Sequence, residues 1–295
     1  MRGNVISQLP EPHTQRSTLG KTPIRRALKF IKKHLVITVT DKASKNFSMV
    51  CKNYYKYKLC KELEREDGAY NTSHNTAQGI HQAYLQDLQS CKCPPALLHK
   101  VREAIDKECF NLPHLYWLPK MHKSPPTERY VAASFRVMTT PLAKILCGML
   151  KMTKDELKRR DNILIREEGV KRCFFVDSFD QVTQWLRVLE RPMDEALRSV
   201  NTYDFATMYT TLDQDNIVEC VDLATQEAFG QQTDHPGVRK HLYLIYINER
   251  APVVWYDEQD RLTNVPIDMA TAFTATDVVE MVRILVRHTY IHTQW

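Results

Sequence analysis

A chain of 295 residues with 43% hydrophobic composition is long enough to bury a core and lies outside the composition of disordered proteins. Its apolar runs stay far below the roughly 20 residues of a membrane span, and residues 1–10 lack a secretory signal. An intracellular protein, nuclear or cytoplasmic, is therefore expected, not secreted and with no membrane partner. The net charge of +6 is concentrated at the front, where Arg2, Arg16, Lys21, Arg25, Arg26, Lys29, Lys32 and Lys33 stand against Glu11 alone.

Residues 1–20 mix Pro, Gly, Ser, Thr and Gln without periodicity and read as a flexible basic leader. Thr22 and Pro23 open a helix in which Ile24, Ala27, Leu28 and Ile31 form an apolar stripe, while Arg25, Arg26, Lys29, Lys32 and Lys33 take the remaining surface. The stripe calls for a core. The cations suit an RNA or DNA backbone, an anionic membrane surface, or plain solvent. The β-branched run at 35–39 predicts a buried strand, Thr40, Asp41 and Lys42 a turn, and residues 47–50 a second strand.

From residue 53 to about 108 the spacing is helical, with Tyr55, Leu59 and Leu63 on one face and, after Pro94 and Pro95, Leu97, Val101 and Ile105 on another. Residues 71–75 read as a loop. Four prolines break residues 111–136 into extended segments and turns that end in a strand at 130–133. Leu142, Ile145, Leu146 and Met149 return to helical spacing, and a helix at 178–189 follows with Ser178 and Gln181 in capping-box positions. Residues 199–203 predict a strand entering Asp204, residues 215–229 a helix burying Ile217, Val218, Val221 and Ala224, and residues 241–247 another helix. A hairpin turning at 257–260 and a last helix carrying Val278, Met281, Val282 and Leu285 complete the chain. There is no repeat and no βαβ rhythm, so the fold class expected is α+β. The expected organisation is a leader at 1–20, a helical region with a short hairpin at 21–110, and a third region at 111–295. The eight scattered cysteines read as free thiols, and Cys91 with Cys93 supplies too few ligands for zinc.

Two segments carry candidate chemistry. Residues 111–134, NLPHLYWLPKMHKSPPTERYVAAS, set Lys120, His122, Lys123 and Arg129 among Tyr116, Trp117 and Tyr130. Such a stretch can stack on bases and neutralise phosphates, or can be a proline-rich surface loop with ordinary charges. Residues 199–212, SVNTYDFATMYTTL, place Asp204 between a β-prone segment and a run of Thr, Met and Tyr. A lone aspartate there is commonly a cap, but phosphoryl transfer by two metal ions also needs a carboxylate at a rigid strand end.

In this order, LYWLPKMHK, ERYVAAS and TYDFATMYTTL, with TDKASKNFSMVCKNYYK upstream, resemble the reverse transcriptases of Penelope-like retroelements, from about residue 35 onward. The resemblance implies a partial right-hand polymerase, with fingers and an incomplete palm in residues 111–295, taken from an RNA-directed DNA polymerase (a nucleotidyltransferase). It implies Asp204 as catalytic, Mg²⁺-binding carboxylate and Tyr209 as the wall that excludes a ribose 2′-hydroxyl. Phe205, Arg129, Lys120 and Lys123 would join Tyr209 in nucleotide binding. The implied partners are an RNA template, a DNA primer and deoxynucleoside triphosphates. Met208 stands where the family usually has Leu, and Val131 where it has Ile, both changes of small consequence. The larger departure is that ILVRHTYIHTQW resembles the lead-in to a further palm motif, and the sequence contains no Asp-Asp pair to complete a two-metal site. Asp213 and Asp215 follow Asp204 too closely and suit a helix start. The expectation is a fragment inactive by itself, or a nucleic-acid-binding relic without catalysis; a relic with no ligand is the third reading.

Overall fold

The computed structural model describes residues 21–66, 69–91, 95–108, 112–169, 178–189, 212–230, 239–246, 253–262 and 271–293. The leader and the strand expected at 199–203 lie outside them. The architecture is mixed helix and sheet, and among the described residues the strands form three small sheets. The chain divides into two compact units, one of residues 1–65, 115–131 and 295, the other of residues 66–114 and 132–294.

The first unit begins with α1 (Lys21–His34), followed directly by β1 (Leu35–Thr40) and β2 (Ala43–Cys51), an antiparallel pair with a register shift between Val39 and Thr40. The hairpin is as expected, with β2 longer than the segment at 47–50. Two expectations of burial fail. No residue of α1 is buried, and Ile24 and Leu28 of its stripe are exposed. Within β1 only Thr40 is buried, because a two-stranded ribbon leaves much of both faces open and Ile37 is half exposed. Then comes α2 (Lys52–Leu63), which buries Tyr55 and Leu59 one turn apart, as its spacing predicts. The proline-rich segment forms a strand that the sequence did not announce, β3 (His114–Lys120), paired with β4 (Thr127–Ala133).

The second unit holds the main core. Here α3 (Ala77–Ser90), capped by the Thr76 hydroxyl accepting from Gly79 N–H at 3.1 Å, buries Ile80, Tyr84 and Leu88. In α4 (Pro95–Glu108) Val101 is buried. The long α5 (Thr140–Glu168) continues well past the predicted stretch and stops at Gly169, whose φ of 71° is a left-handed C-cap. After α6 (Phe179–Leu189), α7 (Gln214–Phe229) starts at Asp213, whose carboxylate accepts from Asn216 N–H at 2.9 Å. Asp213 and Asp215 thus serve the helix start, as expected. In α7 the fully buried residues are Thr225, Ala228 and Phe229, whereas Val218 and Val221 pack at the edge of the core.

Residues 241–246 are not a helix but β5 (His241–Tyr246), the central strand between β6 (Val253–Asp257) and β7 (Ala272–Phe273). A register shift between His241 and Tyr243 leaves His241 and Leu244 buried three residues apart, so the strand carries a helix-like spacing. The hairpin expected around 257–260 is likewise corrected. β6 pairs back with β5, and α8 (Glu258–Leu262) starts where Asp257 and Asp260 accept each other's backbone N–H groups at 3.0 and 3.3 Å. The last helix, α9 (Ala275–Arg287), opens on a capping box between Thr274 and Asp277 and buries Val278, Met281 and Val282 as predicted. His288 then ties it to α3, its Nε2 lying 2.9 Å from Asp87 Oδ2.

A buried charge cluster fixes α5 against the sheet. Arg160 bonds through Nε to Glu156 Oε1 at 2.9 Å and donates through its terminal nitrogens to the carbonyls of Glu227, Ala228 and Arg239. Glu156 also accepts two bonds from Arg159 and lies 3.3 Å from His241 Nε2. Burial alone would raise the Glu156 carboxyl, but the bonds from Arg159, His241 and Arg160 outweigh it and hold the group far below the usual carboxylate range.

Candidate nucleic-acid interface

The first unit sorts its residues by the period of two of β3. Leu115, Trp117 and Pro119 are buried, while His114, Tyr116, Leu118 and Lys120 are only partly covered. Trp117, 3% exposed, stacks on Tyr55 with ring centroids 4.6 Å apart. Its indole N–H donates to Tyr55 O at 3.1 Å and its backbone N–H to Tyr55 Oη at 2.9 Å, and the Tyr55 hydroxyl donates in turn to Trp117 O at 3.2 Å. Burial raises the Tyr55 phenol above its ordinary value, with the bond to Trp117 O opposing it. Tyr130 donates its hydroxyl to Lys58 O at 3.1 Å. The expectation that Trp117 can stack on bases is therefore corrected: its ring is used up in joining β3 to α2.

The cations take the other side of this division. Lys120 ends β3, Lys123 is exposed in the turn after it and donates its backbone N–H to Lys120 O at 3.2 Å, and Arg129 lies on β4, 48% exposed. Among the described residues neither Lys120 nor Lys123 has an ion-pair partner. Arg129 has one, Asp41, whose Oδ1 lies 3.3 Å from Arg129 Nε. Asp41 occupies the turn between β1 and β2, and its backbone N–H donates to Pro119 O at 3.0 Å, binding that turn to β3. Lys58 by contrast is committed. It pairs with Glu128 at 2.8 Å, a bond that raises its pKa, and sits over the Tyr54 ring.

On α1, Arg25, Arg26, Lys29, Lys32 and Lys33 are all exposed, and none has an ion-pair partner among the described residues. The helix contains no acid, and Lys52 Nζ donates to Lys32 O at 3.5 Å near its C-terminal end. The structure thus places Lys120, Lys123 and Arg129 on one strand-turn-strand segment and, on one helix of the same unit, five cations with no ion-pair partner among the described residues. Asp204, Phe205 and Tyr209 lie outside the described residues. Among the described residues no three His, Cys, Asp or Glu side chains converge as a cation site. Sequence reasoning gave Asp41 a place in the turn and in the upstream segment TDKASKNFSMVCKNYYK, but no part in binding. Its signal, an aspartate in a turn just after a β-branched run, is shared by many structural turns.

No helix among the described residues is long and apolar enough to cross a membrane. The described cysteines, Cys51, Cys60, Cys91, Cys147 and Cys220, are free thiols. Set against models of protein families, curated proteins and solved structures, the chain finds no match.

Proposed function

We propose that this chain carries the fingers and part of the palm of an RNA-directed DNA polymerase of the Penelope-like type, engaging an RNA template, a DNA primer and a deoxynucleoside triphosphate. The observation that carries the reading is the placement of Lys120, Lys123 and Arg129. All three come from the segments that carry the resemblance, and Lys123 and Arg129 are exposed and Lys120 partly so, while the neighbouring Trp117 is buried. A triphosphate or a template backbone is the anion such a set accepts, and the guanidinium of Arg129 can grip a phosphate through two N–H groups. Asp204 would hold Mg²⁺, which neutralises triphosphate charge when bound, and Tyr209 with Phe205 would shape the sugar pocket. A two-metal site needs several carboxylates to share its charge, and the absence of an Asp-Asp pair in the sequence makes the chain inactive by itself.

The five exposed cations of α1 favour a second reading, a nucleic-acid-binding protein without catalysis, since they can bind phosphate with no help from Asp204. Dissociation from an RNA template annealed to a DNA primer separates the two. With Mg²⁺ present, the deoxynucleotide complementary to the next template base is expected to slow dissociation, a mismatched one is not, and Asp204→Asn is expected to abolish the difference. Binding that ignores the matched nucleotide overturns the polymerase reading and leaves the second. Absence of binding overturns both.

A further inference from the structure

The turn between β1 and β2 contains a carboxylate that stability does not explain. The Asp41 side chain is 5% exposed and its Oδ2 has no hydrogen-bond partner among the described residues, although a buried carboxylate ordinarily satisfies both oxygens. The turn itself is held by backbone, through Asp41 N–H to Pro119 O at 3.0 Å, and its next residue, Lys42, takes the left-handed φ of 60°. An asparagine would keep that backbone bond and bury no charge. What the charged form adds is the attraction to Arg129 Nε at 3.3 Å, across two segments some ninety residues apart in sequence.

We propose that Asp41 is a positioning residue for Arg129, gripping the guanidinium at Nε so that its two terminal nitrogens are presented as a fixed fork to a phosphate group of the incoming triphosphate. The inference rests on the reading of Arg129 as a nucleotide-binding residue. An unsupported arginine on a surface strand samples many rotamers, and ordering it is part of the cost of binding. A carboxylate at Nε removes that cost beforehand and leaves the bidentate edge open, the edge that matches phosphate geometry. Proximity alone predicts the opposite sign, because a negative charge beside an anion site repels the anion. Neutralising Asp41 therefore strengthens phosphate binding if Asp41 is merely near, and weakens it if Asp41 holds the arginine in place.

The test measures inorganic tripolyphosphate binding to the full chain by calorimetry in wild type, Asp41→Asn, Arg129→Ala, Arg129→Lys and the double variants. Losing a charge-assisted contact predicts about a tenfold weakening for Arg129→Ala, with Arg129→Lys close to it since lysine has neither Nε nor fork. Asp41→Asn is expected to weaken binding in the wild-type background and to have no further effect where Arg129 is already replaced. Unchanged or tighter binding by a folded Asp41→Asn, or a loss that persists without Arg129, overturns the positioning role. If Asp41→Asn fails to fold, Arg129→Lys decides, and wild-type affinity in that variant refutes the fork. Arg129→Ala without effect refutes the nucleotide-binding reading itself, a result distinct from failure of Asp41 alone.

Discussion

Replacing Arg25, Arg26, Lys29, Lys32 and Lys33 together by glutamine isolates the contribution of α1 to nucleic-acid binding. None of the five has an ion-pair partner among the described residues, no residue of the helix is buried, and glutamine has nearly the helix propensity of the residues it replaces. The fold should thus survive with its melting temperature unchanged. Each phosphate contact on a single strand contributes about 0.7 to the slope of log K against log salt, so five contacts predict a slope shallower by about 3.5. Between 50 and 200 mM salt that difference amounts to roughly a hundredfold in relative affinity. Fluorescence anisotropy with a labelled single-stranded RNA, titrated at four or five salt concentrations, measures it. A slope that changes by less than one, with the variant folded, would show that the helix faces solvent and that its charges serve no nucleic acid.

The remaining predictions concern the interior and its edge. Trp117→Ala should cost about 3–5 kcal/mol of unfolding free energy in urea, as a buried aromatic residue does, whereas Tyr54→Ala with Tyr57→Ala, at exposed positions on α2, should weaken single-stranded RNA binding by about 1–3 kcal/mol and leave stability within about 1 kcal/mol. Arg160→Met should cost about 3–5 kcal/mol, because it strips a buried carboxylate and three carbonyls of a donor. Since the folded-state pKa of Glu156 is depressed, its stabilisation is present above its ordinary value of 4.5 and is lost as pH falls below it, by up to about 1.4 kcal/mol per pH unit. Glu156→Gln should flatten this acid limb, and a limb identical to wild type refutes the assignment. Finally, the backbone N–H groups of Tyr54 and then Asn53, at the start of α2, lower the Cys51 thiol pKa. Iodoacetamide at neutral pH, followed by peptide mass spectrometry, should label Cys51 before Cys60, which is also exposed.

Helices were legible in this sequence where one apolar face meets one core. Tyr55 and Leu59 in α2, Leu142, Ile145, Leu146 and Met149 in α5, and Val278, Met281 and Val282 in α9 are buried at the spacing the sequence shows. The failures have local causes. His241 and Leu244 mimic a helix because a register shift breaks the alternation of β5, and β3 was hidden by Pro119, which a strand of a two-stranded sheet tolerates. The stripe of α1 is as amphipathic as its sequence implies, yet amphipathicity states only that a face can be covered, and in the described structure it is not. Of the candidate residues, Lys120, Lys123 and Arg129 stand out in the sequence by their segment. Asp41 does not, because its partner lies on β4 and only the fold brings them together.

The division between aromatic and cationic residues in the first unit bears on how it could hold a nucleic acid. Read as a string, LYWLPKMHK offers every ring and every charge to the same ligand. Folded as a strand, it turns Trp117 inward and leaves Tyr116, itself partly covered, on the same face as Lys120, so β3 presents no fully exposed ring for stacking. Exposed rings are found instead on α2, where Tyr54 and Tyr57 stand three residues apart and hence on one side of the helix, with Tyr55 between them directed inward to Trp117 and Tyr54 edge-on to the same indole. The buried Tyr55–Trp117 pair therefore does mechanical work for the exposed pair. Two backbone-linked rings and three hydrogen bonds clamp α2 to β3, fixing the helix that carries Tyr54 and Tyr57 to the strand that carries Lys120. A base stacked on the helix and a phosphate held at the end of the strand would then be read by one rigid body, and loosening the clamp would cost binding even though neither clamping ring touches the ligand.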